Sequence, residues 1–302
     1  MRFFDLHCDT IGECFNRALS LYSNELHFDL MRAGSLGSVT QVFAIWIPDE
    51  LRGDDALSYF NRVAGFFERE LEKNGDIISS VDDKRATPVK AVLALEGGSG
   101  AGGTFEGLEH VCNRGVKIIT LTWNAENEVA GGAYSEAGFT DYGKEFVSFC
   151  ESKDIIIDAS HLNRRSFFQL EEISEKPFIA SHSNADIVNT SQGRKRNLSL
   201  EQIEIIKKRN GLIGINLFRE FLEDEEKNGY DALRRQIEFF LEKGCGKIIS
   251  FGTDFDGCEI SPSFKGVEKI PEIYNNLGNY YNKKLLDALF FENAEQFFKY
   301  RL

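Results

Sequence analysis

Proline and methionine are scarce in this chain, at five and two residues, and tryptophan occurs only twice. The few prolines form no linker-like cluster, and no internal repeat or low-complexity stretch interrupts the sequence. With nothing marking a boundary, residues 1–302 read as a single domain. No stretch approaches the ~20 apolar residues that a bilayer-spanning helix requires. Met1-Arg2-Phe3-Phe4-Asp5 meets charge at once, which argues against a secretory leader. The last residues, Phe297-Phe298-Lys299-Tyr300-Arg301-Leu302, are too few and too charged for a lipid-anchor tail. Positive charge is in deficit: 35 Lys and Arg against 48 Asp and Glu leave a net charge of −13. Such a chain repels phosphate backbones and anionic bilayers, so neither nucleic acid nor membrane is expected as a partner. The six cysteines contain no CxxC pair, which argues against a zinc ribbon or a thioredoxin-type site. A chain this long needs no disulfide framework. The cysteines are therefore read as free thiols in a reducing, cytoplasmic setting.

What is present is alternation. Short apolar, β-branched runs occur at Phe3–Leu6, Val39–Ile47, Val89–Leu95, Val116–Thr122, Ile155–Ala159, Phe178–Ala180, Leu212–Leu217 and Lys247–Phe251. Between them, helical periodicity predicts Asp54–Lys73, Phe105–Arg114, Thr140–Ser152, Ser166–Ile173, Ser199–Arg209 and Tyr230–Lys243, with a last helix over Lys283–Tyr300. Ser199 followed three residues later by Gln202 has the spacing of a capping box. Eight strands alternating with helices in about 300 residues favour a parallel sheet closed into a (β/α)₈ TIM barrel over an open sheet. The 26 phenylalanines predict an aromatic-rich core.

In such a barrel the working residues stand at the carboxyl ends of the strands. Just past the strands lie His7-Cys8-Asp9, Glu96-Gly97-Gly98, Ser160-His161, Ser181-His182-Ser183 and Gly252-Thr253-Asp254-Phe255-Asp256-Gly257. A lone histidine is more often a structural residue than a ligand. Three of five at strand ends, matched by carboxylates, point to a metal site. His7 and Asp9 are two apart on a strand and so face the same way, leaving Cys8 on the other side. Five candidate ligands (His7, Asp9, Glu96, His161 and His182) are too many for one tetrahedral ion with an open position, and favour two. Imidazole with carboxylate suits Zn²⁺, with Mn²⁺, Fe²⁺ or Co²⁺ as alternatives. Asp254 is then a sixth ligand or an acid/base, against the plainer role of a loop carboxylate binding backbone amides. Asp256 is assigned that plainer role. His110 is expected to face solvent and His27 to pack or hydrogen-bond.

At these residues the chain resembles the membrane dipeptidase family, also called renal dipeptidase or peptidase family M19. The likeness runs nearly end to end, through Asp5-Leu6-His7-Cys8-Asp9, Ala94-Leu95-Glu96-Gly97, Leu121-Thr122-Trp123-Asn124, Asp158-Ala159-Ser160-His161, Ala180-Ser181-His182-Ser183, Arg196-Asn197-Leu198 and Gly252-Thr253-Asp254-Phe255-Asp256-Gly257. It implies a binuclear zinc dipeptidase on a barrel of the metal-dependent hydrolase type. By that likeness His7 and Asp9 hold one zinc, His161 and His182 the other, and Glu96 bridges them. A bridging hydroxide is the implied nucleophile, and Asp254 carries its proton to the leaving amine. Arg196 grips the terminal carboxylate of a small dipeptide, of L-L or L-D configuration. From the sequence alone, Arg194-Lys195-Arg196 would read as a basic surface loop. Family members often pair as homodimers. One position departs: the mammalian enzymes carry a histidine where this chain has Trp123, whose indole donates one N–H and cannot act as an acid. That bears on the oxyanion contact and on substrate range, and Asn124 or Asn127 could supply a substitute donor.

Two rival functions use the same residues. One is hydrolysis of another linear or cyclic amide or lactam, with Trp123 shaping the pocket. The other is a metal-binding protein that has lost catalysis, which the retention of Asp254 argues against. A phosphoesterase is a weaker rival, because His-x-His is absent.

Overall fold

A computed structural model of the chain describes residues 1–222 and 229–299. Nine parallel strands run in chain order: β1 Arg2–Cys8, β2 Ser38–Trp46, β3 Ile78–Ser80, β4 Val89–Glu96, β5 Val116–Thr120, β6 Ile156–Asp158, β7 Ile179–Ala180, β8 Leu212–Ile215 and β9 Ile249–Phe251. Their order is β2-β1-β9-β8-β7-β6-β5-β4-β3, and β2 also pairs with β4. That pairing runs unbroken from Val39↔Val89 to Trp46↔Glu96 and closes eight strands into a (β/α)₈ barrel. All eight predicted runs are barrel strands.

The ninth strand, β3, was not expected. It lies along the start of β4, with Ile78 opposite Val89, on the edge that β5 takes up only from Leu93 onward. Three residues flanked by polar sequence carry too little periodicity to be read as a strand. The same brevity hides the helices Thr10–Asn16, Leu30–Leu36 and Ile270–Leu277.

The predicted helices are present, with ends fixed by caps. Ser199 and Gln202 form the expected capping box on Leu200–Lys208. Thr140 caps Asp141–Ser152, and Asn163 caps Arg164–Ile173. The C-terminal segment is helical from Lys283 to Phe298 with a π-helical stretch over Ala288–Glu292. Tyr300, the expected end of that helix, and Arg301 and Leu302 lie outside the described residues.

The core is aromatic, as its composition implied. The largest fully buried side chains are all phenylalanines. Phe3, Phe251 and Phe290 meet with ring centroids 4.8 to 6.1 Å apart, which ties the C-terminal helix to the barrel. Among the described residues the six cysteines are free thiols, and no helix is long and apolar enough to cross a membrane.

Candidate metal centre and substrate cavity

β1 delivers His7 at its end and Asp9 just beyond it, while Cys8 between them is fully buried. β4 ends on Glu96. Short loops after β6, β7 and β9 carry His161, His182 and Asp254. These six side chains, separated by as many as 247 positions, converge. His7 Nε2 is 3.3 Å from Asp9 Oδ2, 3.6 Å from Glu96 Oε2 and 3.9 Å from Asp254 Oδ1. On the other side Glu96 Oε1 is 2.9 Å from His161 Nε2 and 3.6 Å from His182 Nε2. Glu96 thus turns one oxygen toward His7 and the other toward the His161–His182 pair.

Three members, His161, His182 and Asp254, are oriented from behind. Asp158, fully buried, accepts from the Ser181 hydroxyl at 2.6 Å, and that hydroxyl lies 2.7 Å from His182 Nδ1. Asn124 Oδ1 lies 3.0 Å from His161 Nδ1, which leaves Nε2 of His161 for the centre. Asn216 donates to Asp254 Oδ2 at 2.9 Å. Asp5 accepts from the backbone and hydroxyl of Thr253 at 2.8 and 2.6 Å and so fixes the chain just before Asp254. Such partners set ring and carboxylate direction around metal ligands. The backbone is bent to the same end: His161 and Asp254 have φ of +68° and +61°, a left-handed region that costs a non-glycine residue of order 1 kcal/mol or more.

The electrostatics describe a site built for cations. Burial pulls the His7 imidazole down, but the Glu96 and Asp9 carboxylates outweigh it and raise its pKa well above the ordinary value. Burial and the Glu96 charge push Asp9 up to about 8. Glu96 is held well below its usual range: burial opposes this, and the His7 charge with hydrogen bonds from His161 and His7 overcomes it. Burial lowers both His161 and His182, keeping them neutral as ligation requires. His7 Nε2 and Asp9 Oδ1 are buried without a hydrogen-bond partner. Buried polar atoms are rarely left so, and these two atoms fit a cation. Ligand atoms of His7–Asp9–Glu96, of Glu96–His161–His182 and of His7–His182–Asp254 each lie within 4.8 Å of one another. The residues present therefore fit a divalent metal centre.

The centre opens into a cavity of ≈ 630 Å³. Arg196 lines it, only 5% exposed, with Nε and Nη2 unpaired and its guanidinium 5.2 Å above the Phe221 ring. Its basic neighbours made it look like a surface residue. A short helical turn, Gly193–Arg196, instead turns it inward. Trp123 also lines the cavity, 6.3 Å from the His161 ring and edge-on to Trp46 at 5.0 Å. Asn127 is not available as a substitute donor: it donates to Leu121 O and accepts from the amides of Val129 and Ala130. Asn124 lines the cavity but is engaged through its oxygen with His161.

Asp256 takes the plainer role expected of it, accepting from His27 N at 2.6 Å and Thr10 Oγ1 at 2.5 Å. His27 packs edge-on against Phe255, and His110 is exposed with Asn61 as partner. Sequence reasoning missed Asn216, Asp158 and Asp5 as orienting groups and Trp46 as cavity wall. The available signal was a polar residue in or at the end of an otherwise apolar strand.

The chain is similar to known proteins in both sequence and fold. A family model described as membrane dipeptidase (peptidase family M19) matches residues 1–300. Among curated proteins, an uncharacterized protein in the PQQ-III 3′ region of Acinetobacter calcoaceticus is 25% identical over 253 residues, covering 72% of this chain and 79% of that protein. An uncharacterized dipeptidase of Schizosaccharomyces pombe is 25% identical over 194 residues, 61% of this chain and 46% of that one. Among solved structures, a metallo peptidase from Rhodobacter sphaeroides superimposes with a TM-score of 0.91 at 20% identity, covering 100% of this chain and 99% of its own. The probable dipeptidase PvdM from Pseudomonas aeruginosa does so with a TM-score of 0.77 at 17% identity, covering 95% and 96%. The match across residues 1–300, on a barrel whose rim gathers a buried His, Asp and Glu cluster, places this chain in the membrane dipeptidase family, among metal-dependent hydrolases that act on dipeptides.

Proposed function

We propose that the chain hydrolyses the peptide bond of small dipeptides, L-D dipeptides included, at a binuclear zinc site held by His7, Asp9, Glu96, His161 and His182. The whole chain serves this one cavity as a single catalytic unit, and its free thiols suit a reducing, cytoplasmic setting. One observation carries the reading: an unpaired, buried guanidinium, Arg196, lines the same cavity as the ligand cluster. A guanidinium pairs with a carboxylate through two parallel hydrogen bonds, so Arg196 takes the dipeptide's terminal carboxylate and fixes the scissile bond over the centre. When bound, the ions would polarise the carbonyl and lower the pKa of the attacking water toward 7. Asp254, aimed by Asn216 and 3.9 Å from His7 Nε2, accepts the proton of that water and returns it to the departing amine. Trp123 and Trp46 form an apolar wall that shields the reacting bond from bulk water. The Rhodobacter sphaeroides relative was solved with a phosphinate mimic of L-Ala-D-Ala, which supports a D-residue at the C-terminal position.

The test is metal analysis of purified protein, followed by assay on L-L and L-D dipeptides with and without chelator. The expected result is about two equivalents of zinc and chelator-sensitive turnover. Bound metal without turnover of any dipeptide would overturn the catalytic claim, and a His161→Ala variant with full activity would remove the metal centre from it.

A further inference from the structure

The cavity has two unlike ends, and only one of them has been assigned a ligand. Around the closed barrel the strands run β1, β2, β4, β5, β6, β7, β8, β9, so β7 and β2 are diametrically opposed. Arg196 follows β7. On the opposite wall stand Gly12, Glu13 and Asn16 from the helix after β1, Trp46 at the end of β2, and Tyr59 from the helix Gly53–Lys73. Asp9, Gly12 or Glu13, and Asn16 are three or four residues apart, so they line one face of that short helix and lead outward from the centre. Asn16 and Tyr59 satisfy each other, with Asn16 Nδ2 3.1 Å from the Tyr59 hydroxyl. At Gly12 a side chain would meet nothing within 4 Å, so the wall is open there.

The carboxylates lining the cavity can be accounted for one by one. Asp9, Glu96 and Asp254 belong to the cluster. Asp256 accepts from His27 and Thr10. Glu259, mostly exposed, lies 3.7 Å from Arg219. The half-buried carboxylate of Glu13 has no hydrogen-bond or ionic partner among the described residues. A cavity of ≈ 630 Å³ lies within the range of about 300–1,000 Å³ that takes drug-sized ligands, so there is room beyond two alanines.

We infer that Glu13, which shares this cavity wall with Trp46, is a specificity-determining subsite for a cationic side chain on the N-terminal residue of the dipeptide, of the lysine, ornithine or arginine type. This rests on the dipeptidase reading. With the terminal carboxylate held at Arg196 and the scissile bond over the centre, the N-terminal residue is directed toward the β1–β2 wall. A long amphipathic side chain lays its methylenes along Trp46 and presents its charge to Glu13. A partly exposed ion pair and a cation–π contact together are worth roughly tenfold in affinity.

The experiment compares Lys-D-Ala with norleucyl-D-Ala, equal in length and differing in charge, on the zinc-loaded protein. Binding of the matching phosphinate mimics is measured by calorimetry alongside kcat/KM. The expected result is a roughly tenfold preference for the cationic member in both readouts. That preference falls toward one in Glu13→Gln, inverts in Glu13→Lys, and weakens as salt is raised. Equal binding of the two mimics to the wild type, or a preference unchanged in Glu13→Gln, would overturn the inference. If the charged mimic is preferred yet no dipeptide is cleaved, the subsite stands and the hydrolase reading fails. Cleavage without charge preference is the converse.

Discussion

Gly257 sits where the two outer carboxylates of the centre converge, and adding one methyl group there tests how tightly the site is built. A Cβ on Gly257 would lie 2.1 Å from Asp9 Oδ2 and 2.5 Å from Asp254 Oδ1, where real Cβ atoms essentially never come within 3.0 Å. Going from 2.1 to 3.0 Å displaces the Asp9 oxygen by at least 0.9 Å, and going from 2.5 to 3.0 Å displaces that of Asp254 by 0.5 Å. Metal–ligand distances tolerate about 0.2 Å, so the proposed ligand Asp9 would lose its ion unless the loop gives way. A misplacement near 1 Å costs on the order of 10²-fold in rate, and disturbing a group around a metal costs about 10–100-fold in affinity. If the centre holds zinc as proposed, Gly257→Ala should retain its circular dichroism spectrum, bind the ion beside Asp9 at least tenfold less well, and lose about 10²-fold in kcat/KM at saturating zinc. Zinc titration against a competing chelator and initial rates on one dipeptide measure both. Wild-type zinc affinity together with kcat/KM within threefold of wild type would refute the claim that Asp9 and Asp254 are held in place by the absence of a side chain at this position.

Asn216→Ala removes the donor to Asp254 Oδ2 while leaving the ligands in place. The expected outcome is a 10–100-fold fall in kcat with little change in KM, because the donor that aims the carboxylate is lost; an unchanged kcat would remove the positioning role. The chelated protein should lose stability as pH rises from about 6.5 to 8.5. In it, burial and the Glu96 charge hold Asp9 at about 8, above its unfolded value of 3.8, so the stabilisation from its protonated form, complete below the unfolded value, is still falling at pH 6.5 and is gone once pH passes about 8. His7, raised by its carboxylate neighbours against the opposing effect of burial, acts in the same direction. His161 and His182, depressed by burial, are neutral in both states above pH 6.5 and drop out, and Glu96, held low, acts only at acid pH. The gap in Tm between zinc-loaded and chelated protein should therefore widen with pH, and a constant gap in differential scanning fluorimetry would contradict the assignment of Asp9.

The parts of this molecule that could be read from sequence are those where one residue type has one physical use. Runs such as Val89–Leu95 are apolar without alternation because a barrel strand is covered on both faces. His7, Glu96, His161 and His182 stand out because titratable groups at the ends of such runs have little structural purpose. Arg196 could not be placed without its family likeness, because nothing in Arg194-Lys195-Arg196 says which of three cations turns inward. Asn216, Asp158 and Asp5 escaped because amides and aspartates near strand ends resemble turn formers. Only tertiary proximity shows what they hold. β3 and the helix Thr10–Asn16 escaped for a different reason: each is too short for its period to repeat.

The edge-on contact between Trp46 and Trp123 has a consequence for how this protein can be observed. They are the only two indoles in the chain, and both face the substrate cavity. Emission excited at the red edge of the near-ultraviolet band therefore arises from the cavity wall alone, with no background from the barrel interior or the outer helices. Occupancy by an unlabelled ligand can be followed directly in the native protein, in stopped flow as readily as at equilibrium, with the polypeptide supplying its own probe.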